Sequence, residues 1–210
     1  MKYSLALFDY DGTLADSFPW LMGVIQQVAD QYHLPEVELD DSETFRRLDA
    51  HQMVMRMGFS FWKIPLIARD MRRLATRDAH KIPLFPGVDQ LLHGLSRQGI
   101  RLGVVSSNSS ENVQRAIGPA LAALIQYYEC NVSIFGKAAR IRKVLQQSGA
   151  SPQDTIFIGD ELRDLEAAQK VGVAFGAVAW GYTDVSAFLE RSTQEIFMSM
   201  EALLARFDLS

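Results

Sequence analysis

The sequence predicts an α/β fold: a parallel β-sheet covered by helices on both faces, with a small helical unit inserted after the first strand. Three observations carry this. An apolar run, Leu5-Ala6-Leu7-Phe8, stops abruptly at two acids and a glycine, Asp9-Tyr10-Asp11-Gly12, as a buried strand entering a turn does. Residues 16–82 then hold no convincing strand, while apolar residues recur at helical spacing. From Gly87 onward, helical and apolar strand-like stretches alternate regularly, the pattern of a parallel sheet with helices on its faces.

The bulk composition agrees. The chain has 210 residues, 48% hydrophobic and 22% charged, enough apolar material for a good core in one or two domains. A net charge of −4 argues against a nucleic-acid partner, which leaves a strongly basic footprint. The single cysteine, Cys130 in Tyr127-Tyr128-Glu129-Cys130-Asn131, has no internal disulfide partner and is expected to be a small core residue rather than a nucleophile. No basic start followed by a long apolar run precedes Asp9, and no apolar stretch approaches the roughly 20 residues that span a bilayer. The expected setting is therefore the cytoplasm, without a membrane partner, as a monomer or homodimer.

Taken in order, Leu5–Phe8 is the first strand. In the insert, Phe18, Leu21, Met22, Ile25, Val28 and Ala29 form one helical face that ends near His33-Leu34-Pro35, since a proline halts the helix before it. Asp41-Ser42-Glu43 resembles an N-terminal helix signal ahead of Phe45, Leu48, Met53 and Val54. A last helical segment runs from about Pro65 to His80, closed by Pro83-Leu84-Phe85-Pro86-Gly87. Beyond it the sequence predicts helices over 88–98, 111–117, 137–147 and 161–171, alternating with strands over 100–105, near 127–130, 155–158 and 174–179, with shorter elements to the end. Ligands of such sheets sit at the carboxyl ends of the strands, where every unusual residue of this chain falls.

Asp9 and Asp11 stand at i and i+2, so on a continuing strand they project to one side. Crowded carboxylates at the end of a buried strand need a compensating cation or a raised pKa. The alternative is a solvated Asp-Gly turn with Asp16 or Ser17 capping the next helix. The strand Ile100–Val105 runs into Ser106-Ser107-Asn108-Ser109-Ser110, where a hydroxyl and free amides make an anion cradle; Ser109 or Ser110 is expected to cap the following helix. Lys137 lies near a helix start, where the helix dipole disfavours a cation, and no Walker framework surrounds it. Thr155–Ile158 ends in Gly159-Asp160, with Asp164 four residues on. Asp160 alone reads as an N-cap; grouped with Asp9 and Asp11 it gives an oxygen-rich cluster suited to Mg²⁺.

Four segments together resemble the haloacid dehalogenase superfamily: Asp9-Tyr10-Asp11-Gly12-Thr13-Leu14, Ser106 after a hydrophobic strand, Lys137, and Gly159-Asp160 with Asp164. The resemblance implies a Rossmann-like core of residues 1–15 and 83–210 with a helical cap at 16–82. It implies a phosphatase working through an aspartyl phosphate, with Asp9 as nucleophile and Asp11 as acid and then base. Gly12, Thr13, Ser106, Ser107 and Lys137 would bind the substrate phosphate. Asp9, Asp11 (through its backbone carbonyl), Asp160 and Asp164 (as ligand or one step removed) would hold Mg²⁺. True 2-haloacid dehalogenases typically lack the second acid, so Asp11 favours phosphate chemistry on a small phosphorylated metabolite. Sugar phosphomutases share all four motifs, and a phosphate-sensing module without catalysis is the further alternative.

The layout with Phe85-Pro86-Gly87 and Trp180-Gly181-Tyr182 looks most like the phosphoglycolate phosphatase-like branch, although Ala138 stands where those enzymes commonly carry proline. Specificity is expected in the cap. Arg69, Arg73 and Arg77 recur at i, i+4 as a basic stripe, a candidate for a substrate carboxylate or second phosphate, with a solvated face also holding Asp70 and Asp78 as the stronger reading. Arg46, Arg47 and His51 are weaker candidates, and Trp20, Met53, Met55, Met57 and Trp62 are expected in the cap core or interface. His33, His80 and His93 are read as surface or satisfied residues, and the Asn-x-Ser matches at Asn108 and Asn131 as chance.

Overall fold

A computed structural model describes residues 3–33, 63–133, 136–191, 193 and 195–209. Its centre is a six-stranded sheet built from β1 (Leu5–Phe8), β2 (Arg101–Val105), β3 (Ile125–Glu129), β4 (Thr155–Gly159), β5 (Ala174–Val178) and β6 (Glu195–Phe197), in the order β3-β2-β1-β4-β5-β6. All neighbours pair in parallel. β1 and β4 are buried along their whole length, which is why they read as unbroken apolar runs rather than as alternating ones.

The two faces carry separate apolar cores. Ala6, Phe8, Leu102, Val104, Ile156 and Ile158 point to one, where α3 (Val88–Arg97), α4 (Ser110–Ala122) and α8 (Met200–Arg206) pack. Leu5, Leu7, Val105, Phe157 and Phe175 point to the other, covered by α5 (Lys137–Ser148), α6 (Leu162–Val171) and α7 (Ser186–Leu189). The period-2 alternation of a strand sends neighbouring residues to opposite faces.

The inserted unit is represented by α1 (Phe18–Tyr32) and α2 (Ile64–Arg77), which contact each other. α1 buries Val24, Ile25, Val28 and Ala29 and ends at His33, whose φ of 53° takes the left-handed turn that closes many helices. The chain leaves and re-enters the core side by side: the amide of Asp16 donates to Pro83 O at 2.9 Å and that of Phe85 to Leu14 O at 2.9 Å. Asp41-Ser42-Glu43, Arg46, Arg47, His51, Met53, Met55, Met57 and Trp62 lie outside the described residues.

Some boundaries differ from the sequence expectation. β3 starts two residues earlier, at Ile125, because Gln126 is exposed and its polarity masks the strand. Cys130 therefore follows β3 rather than sitting in it, half-buried against the apolar core. α4 continues past residue 117, with a break at Gly118 (φ 76°) ahead of Pro119. The helix expected to reach His80 stops at Arg77 and continues as a short 3₁₀ turn, Ala79–Lys81. No helix among the described residues is long and apolar enough to cross a membrane.

Candidate active site

β1 and β4 are adjacent, so the acids at their carboxyl ends meet. The ladder continues one residue beyond β1, Asp9 N donating to Ile158 O at 2.9 Å. The chain then turns tightly: the amides of Leu14 and Ala15 both donate to Tyr10 O at 2.9 Å, and Gly12, at φ 76°, donates to Ala15 O at 2.8 Å. Gly12 is required on two counts. Its φ suits glycine, and a Cβ there would stand 2.2 Å from Asp160 Oδ2.

Carboxylate oxygens of Asp9, Asp160 and Asp164 lie within 4.8 Å of one another, all three residues buried. Each is held in place. Asp9 Oδ1 accepts from Tyr10 N at 2.7 Å, and its Oδ2 from Lys137 Nζ at 2.6 Å. Asp160 accepts from Thr13 Oγ1 at 2.7 Å and from Tyr182 N at 2.8 Å. Asp164 accepts from Lys137 Nζ, and through its other oxygen from Glu161 N at 3.2 Å. That last contact is half of a capping box with Glu161 as the N-cap of α6, so Asp160 is not the cap.

The electrostatics of the cluster are unbalanced in one direction. Burial, then repulsion from Glu161, Asp9 and Asp164, pushes the pKa of Asp160 well above the usual carboxylate range. Burial pushes Asp164 up as well, against the pull of Lys137. Burial works against the Lys137 ammonium, yet Asp164 and Asp9 together outweigh it and raise its pKa. With all three carboxylates ionised, the one ammonium of Lys137 leaves net negative charge, and the raised pKa values of Asp160 and Asp164 register that missing positive charge. Such a donor set fits a hard cation that takes oxygen ligands.

Asp11 faces a cavity of about 510 Å³ between the inserted helices and the core. Burial, and then the neighbouring Asp9, raises its pKa to about 6, opposed by hydrogen bonds from Asn108 and Ser17. Its carboxylate is not among the three that converge. Asn108 Nδ2 donates to Asp11 Oδ2 at 3.1 Å. Ser106 is fully buried and its Oγ accepts from Asn108 N at 3.1 Å, which shapes the loop; Ser107 lines the cavity. Ser109 caps α4, accepting from Asn112 N. Thr13 spends its hydroxyl on Asp160, and Ser17 Oγ lies 2.8 Å from Tyr182 OH rather than capping α1.

The sequence profile of the haloacid dehalogenase-like hydrolases matches residues 6–178. The chain belongs to that family. Among curated relatives of this haloacid dehalogenase-like hydrolase, a phosphoglycolate phosphatase of Synechococcus elongatus is 30% identical over 179 residues, covering 85% of this chain and 84% of the relative. A pyrophosphatase of Bacillus cereus is 23% identical over 86% of this chain and 85% of its own. Two solved structures share the fold. One is a haloacid dehalogenase-like hydrolase of Streptococcus pneumoniae (TM-score 0.79, 22% identity, 98% of both chains). The other is CbbY of Rhodobacter sphaeroides in complex with phosphate (TM-score 0.76, 22% identity, 99% of this chain and 100% of that one).

In this hydrolase the basic stripe of α2 turns away from the site. Arg69 pairs with Asp70, Arg77 pairs with Asp78, and Arg73 is exposed; the three arginines lie on the solvated face favoured above, whereas Asp78 is buried. The arginine of that helix that reaches the cavity is Arg72, unremarked in the sequence. Asn112 and Arg163 were equally silent, and Asn108 stood out only as a chance Asn-x-Ser match. The i, i+4 asparagines at the start of a helix following a strand are the signal that was available. Trp20 lines the cavity, and its indole Nε1 donates to Asp78 at 3.2 Å. His33, His80 and His93 are exposed.

Proposed function

We propose that this hydrolase is a Mg²⁺-dependent phosphatase that cleaves the monoester of a small phosphorylated metabolite through an aspartyl phosphate on Asp9. The observation that supports it best is the fixed nucleophile: Asp9 is held through one oxygen by Tyr10 N and through the other by Lys137 Nζ, beside an acid whose pKa is lifted to about 6. The name of the Synechococcus relative makes phosphoglycolate the first substrate to try. In this reading residues 1–15 and 83–210 form the catalytic core and 16–82 a cap, and the protein works in the cytoplasm.

Asp9 attacks phosphorus, forming an acyl phosphate while the P–O bond to the leaving alkoxide breaks. Asp11 gives its proton to that alkoxide. As a carboxylate it then takes a proton from the water that attacks the acyl phosphate, releasing phosphate and restoring Asp9. Asn108 keeps Asp11 aimed at the cavity. Lys137, with Ser106, Ser107 and the Gly12-Thr13 turn, would bind the phosphoryl oxygens. Asp9, Asp160 and Asp164, with the Asp11 carbonyl, would hold the metal. When bound, Mg²⁺ supplies charge neutralisation between the nucleophile and the phosphoryl group.

The test is phosphate release from p-nitrophenyl phosphate and a panel of metabolite phosphates, with Mg²⁺ and with chelator, for wild type and Asp9→Asn. Turnover that needs both Mg²⁺ and Asp9 is expected. A folded wild type that releases no phosphate but isomerises a sugar phosphate is a mutase, and one that does neither has a binding role.

A further inference from the structure

Arg72 stands on α2 with its guanidinium against the cavity that Asp11 lines. Its side chain has one contact among the described residues, donating to Ser107 O at a long 3.5 Å, and no acidic partner. A half-buried guanidinium with five donors and one weak acceptor has most of its hydrogen-bonding capacity unused. The other arginine on the cavity, Arg163, is engaged by Glu161 through two nitrogens. Arg72 is therefore the cation with spare donors on this wall.

The rest of the described cap wall is apolar: Leu21, Ala68, Met71 and Ala75, with a Trp20 indole already committed to Asp78. Among the described residues that wall offers no hydroxyl or amide; those of the cavity, on Ser107, Asn108, Asn131, Ser133 and Tyr182, stand on the core side. The apolar wall suits a short carbon body ending in one anion.

The arginine is also set at a fixed reach from Asp11. Asn112 Nδ2 donates to the main-chain oxygen of Arg72 at 3.1 Å and to Asn108 Oδ1 at 3.0 Å, and Asn108 Nδ2 donates to Asp11. Thr76 Oγ1, one turn on from Arg72, adds a contact of 2.7 Å with Asn112 Oδ1. Two asparagines thus fasten the base of Arg72 and the carboxylate of Asp11 to one helix entry. A pair of anionic groups on one small molecule can be measured by a cation and an acid held at constant separation.

We propose that Arg72 is the specificity residue of the site and reads a carboxylate carried on the leaving group, so that the preferred substrates are phosphate monoesters of small hydroxy acids. The proposal rests on the phosphatase reading given above. A carboxylate is the matching partner because the planar fork of arginine binds its two oxygens in parallel.

The experiment compares kcat/KM of the full chain, with Mg²⁺, for phosphoglycolate, for 2-hydroxyethyl phosphate, which replaces the carboxylate by a neutral alcohol, and for pyrophosphate. Wild type is expected to prefer phosphoglycolate over hydroxyethyl phosphate by about 30- to 100-fold, the scale of a charge-assisted hydrogen-bonded pair. In Arg72→Ala and Arg72→Gln that ratio falls to within about 3-fold, because the two substrates then meet the same uncharged wall. Thermal unfolding of both variants verifies that each is folded, and Gln keeps the stem packed if Ala does not. An unchanged ratio in either folded variant overturns the proposal, as does a wild type that handles both esters alike or prefers pyrophosphate. A wild type that hydrolyses none of the three overturns the proposal, and one that also leaves p-nitrophenyl phosphate and the metabolite panel intact overturns the phosphatase reading.

Discussion

Asn108 and Asn112, one turn apart at the entry to α4, share a 3.0 Å hydrogen bond in which Nδ2 of Asn112 donates to Oδ1 of Asn108. The same Nδ2 reaches α2 at Arg72 O, so one buried amide joins α2 to α4. Asn112→Ala removes both bonds and the Thr76 contact with Asn112 Oδ1, while Asn108 Oδ1 keeps Ser109 N and Arg72 O keeps Thr76 Oγ1. A loss of about 1–3 kcal/mol in urea unfolding is expected. A midpoint equal to wild type would show that the amide contributes nothing to holding α2 on α4.

Lys137 is the counter-charge of the carboxylate cluster. Replacing it with the apolar Met leaves buried acids without a partner, at an expected cost of about 3–5 kcal/mol. The signature is in the double variant: Lys137→Met with Asp164→Asn removes one of the stranded charges and recovers part of the loss. If the second substitution instead adds to the first, the charge argument is wrong and Lys137 matters through packing.

Gly12→Ala sets a methyl into the Asp160 carboxylate at a backbone angle that disfavours any side chain. The positive φ alone costs on the order of 1–3 kcal/mol. Because the clash falls on Asp160, thermal stabilisation by added Mg²⁺ should shrink as well. A variant as stable as wild type, with the same response to Mg²⁺, contradicts the close approach described here.

Asp78 sits at the end of α2, where the chain returns to the sheet. It is buried, and Arg77, Trp20 and Lys81 hydrogen-bond or pair with it, holding its pKa well below the usual carboxylate value, with the Arg77 bonds the leading cause. Its contribution to stability is therefore complete above the unfolded pKa of about 4 and fades as pH falls below it toward the folded value. Wild type is expected to exceed Asp78→Asn in stability at neutral pH, with the gap narrowing as pH drops from about 5 to 3. A gap that stays constant over that range would remove the ionised carboxylate from the explanation.

Much of this was legible in the chain. Leu5–Phe8, Thr155–Ile158 and the acids after them stand out because a strand buried on both faces is continuously apolar, and a charge at its end is conspicuous. β3 was blurred by exposed Gln126, and β6, with three residues, is too short to show a period. At the site, contacts within one motif were readable and those across motifs were not. Thr13 reaching Asp160 and Asn108 reaching Asp11 depend on which strands lie side by side. Arg72 was hidden for another reason: Arg69, Arg73 and Arg77 form the tidier pattern, whereas the face that meets the core is mostly apolar, with a single arginine in it.

The central place of β1 has a cost in time. Leu5 pairs with Arg101 on one side and with Thr155 on the other, so this first-made strand waits for both neighbours during synthesis. At about 5–20 residues per second, the ribosome needs roughly 8–30 s to go from β1 to β4, and until then the apolar strand has no native partner on that side. A nascent chain arrested between β2 and β4 is therefore expected to aggregate more readily than the full chain, because one edge of its central strand stays open.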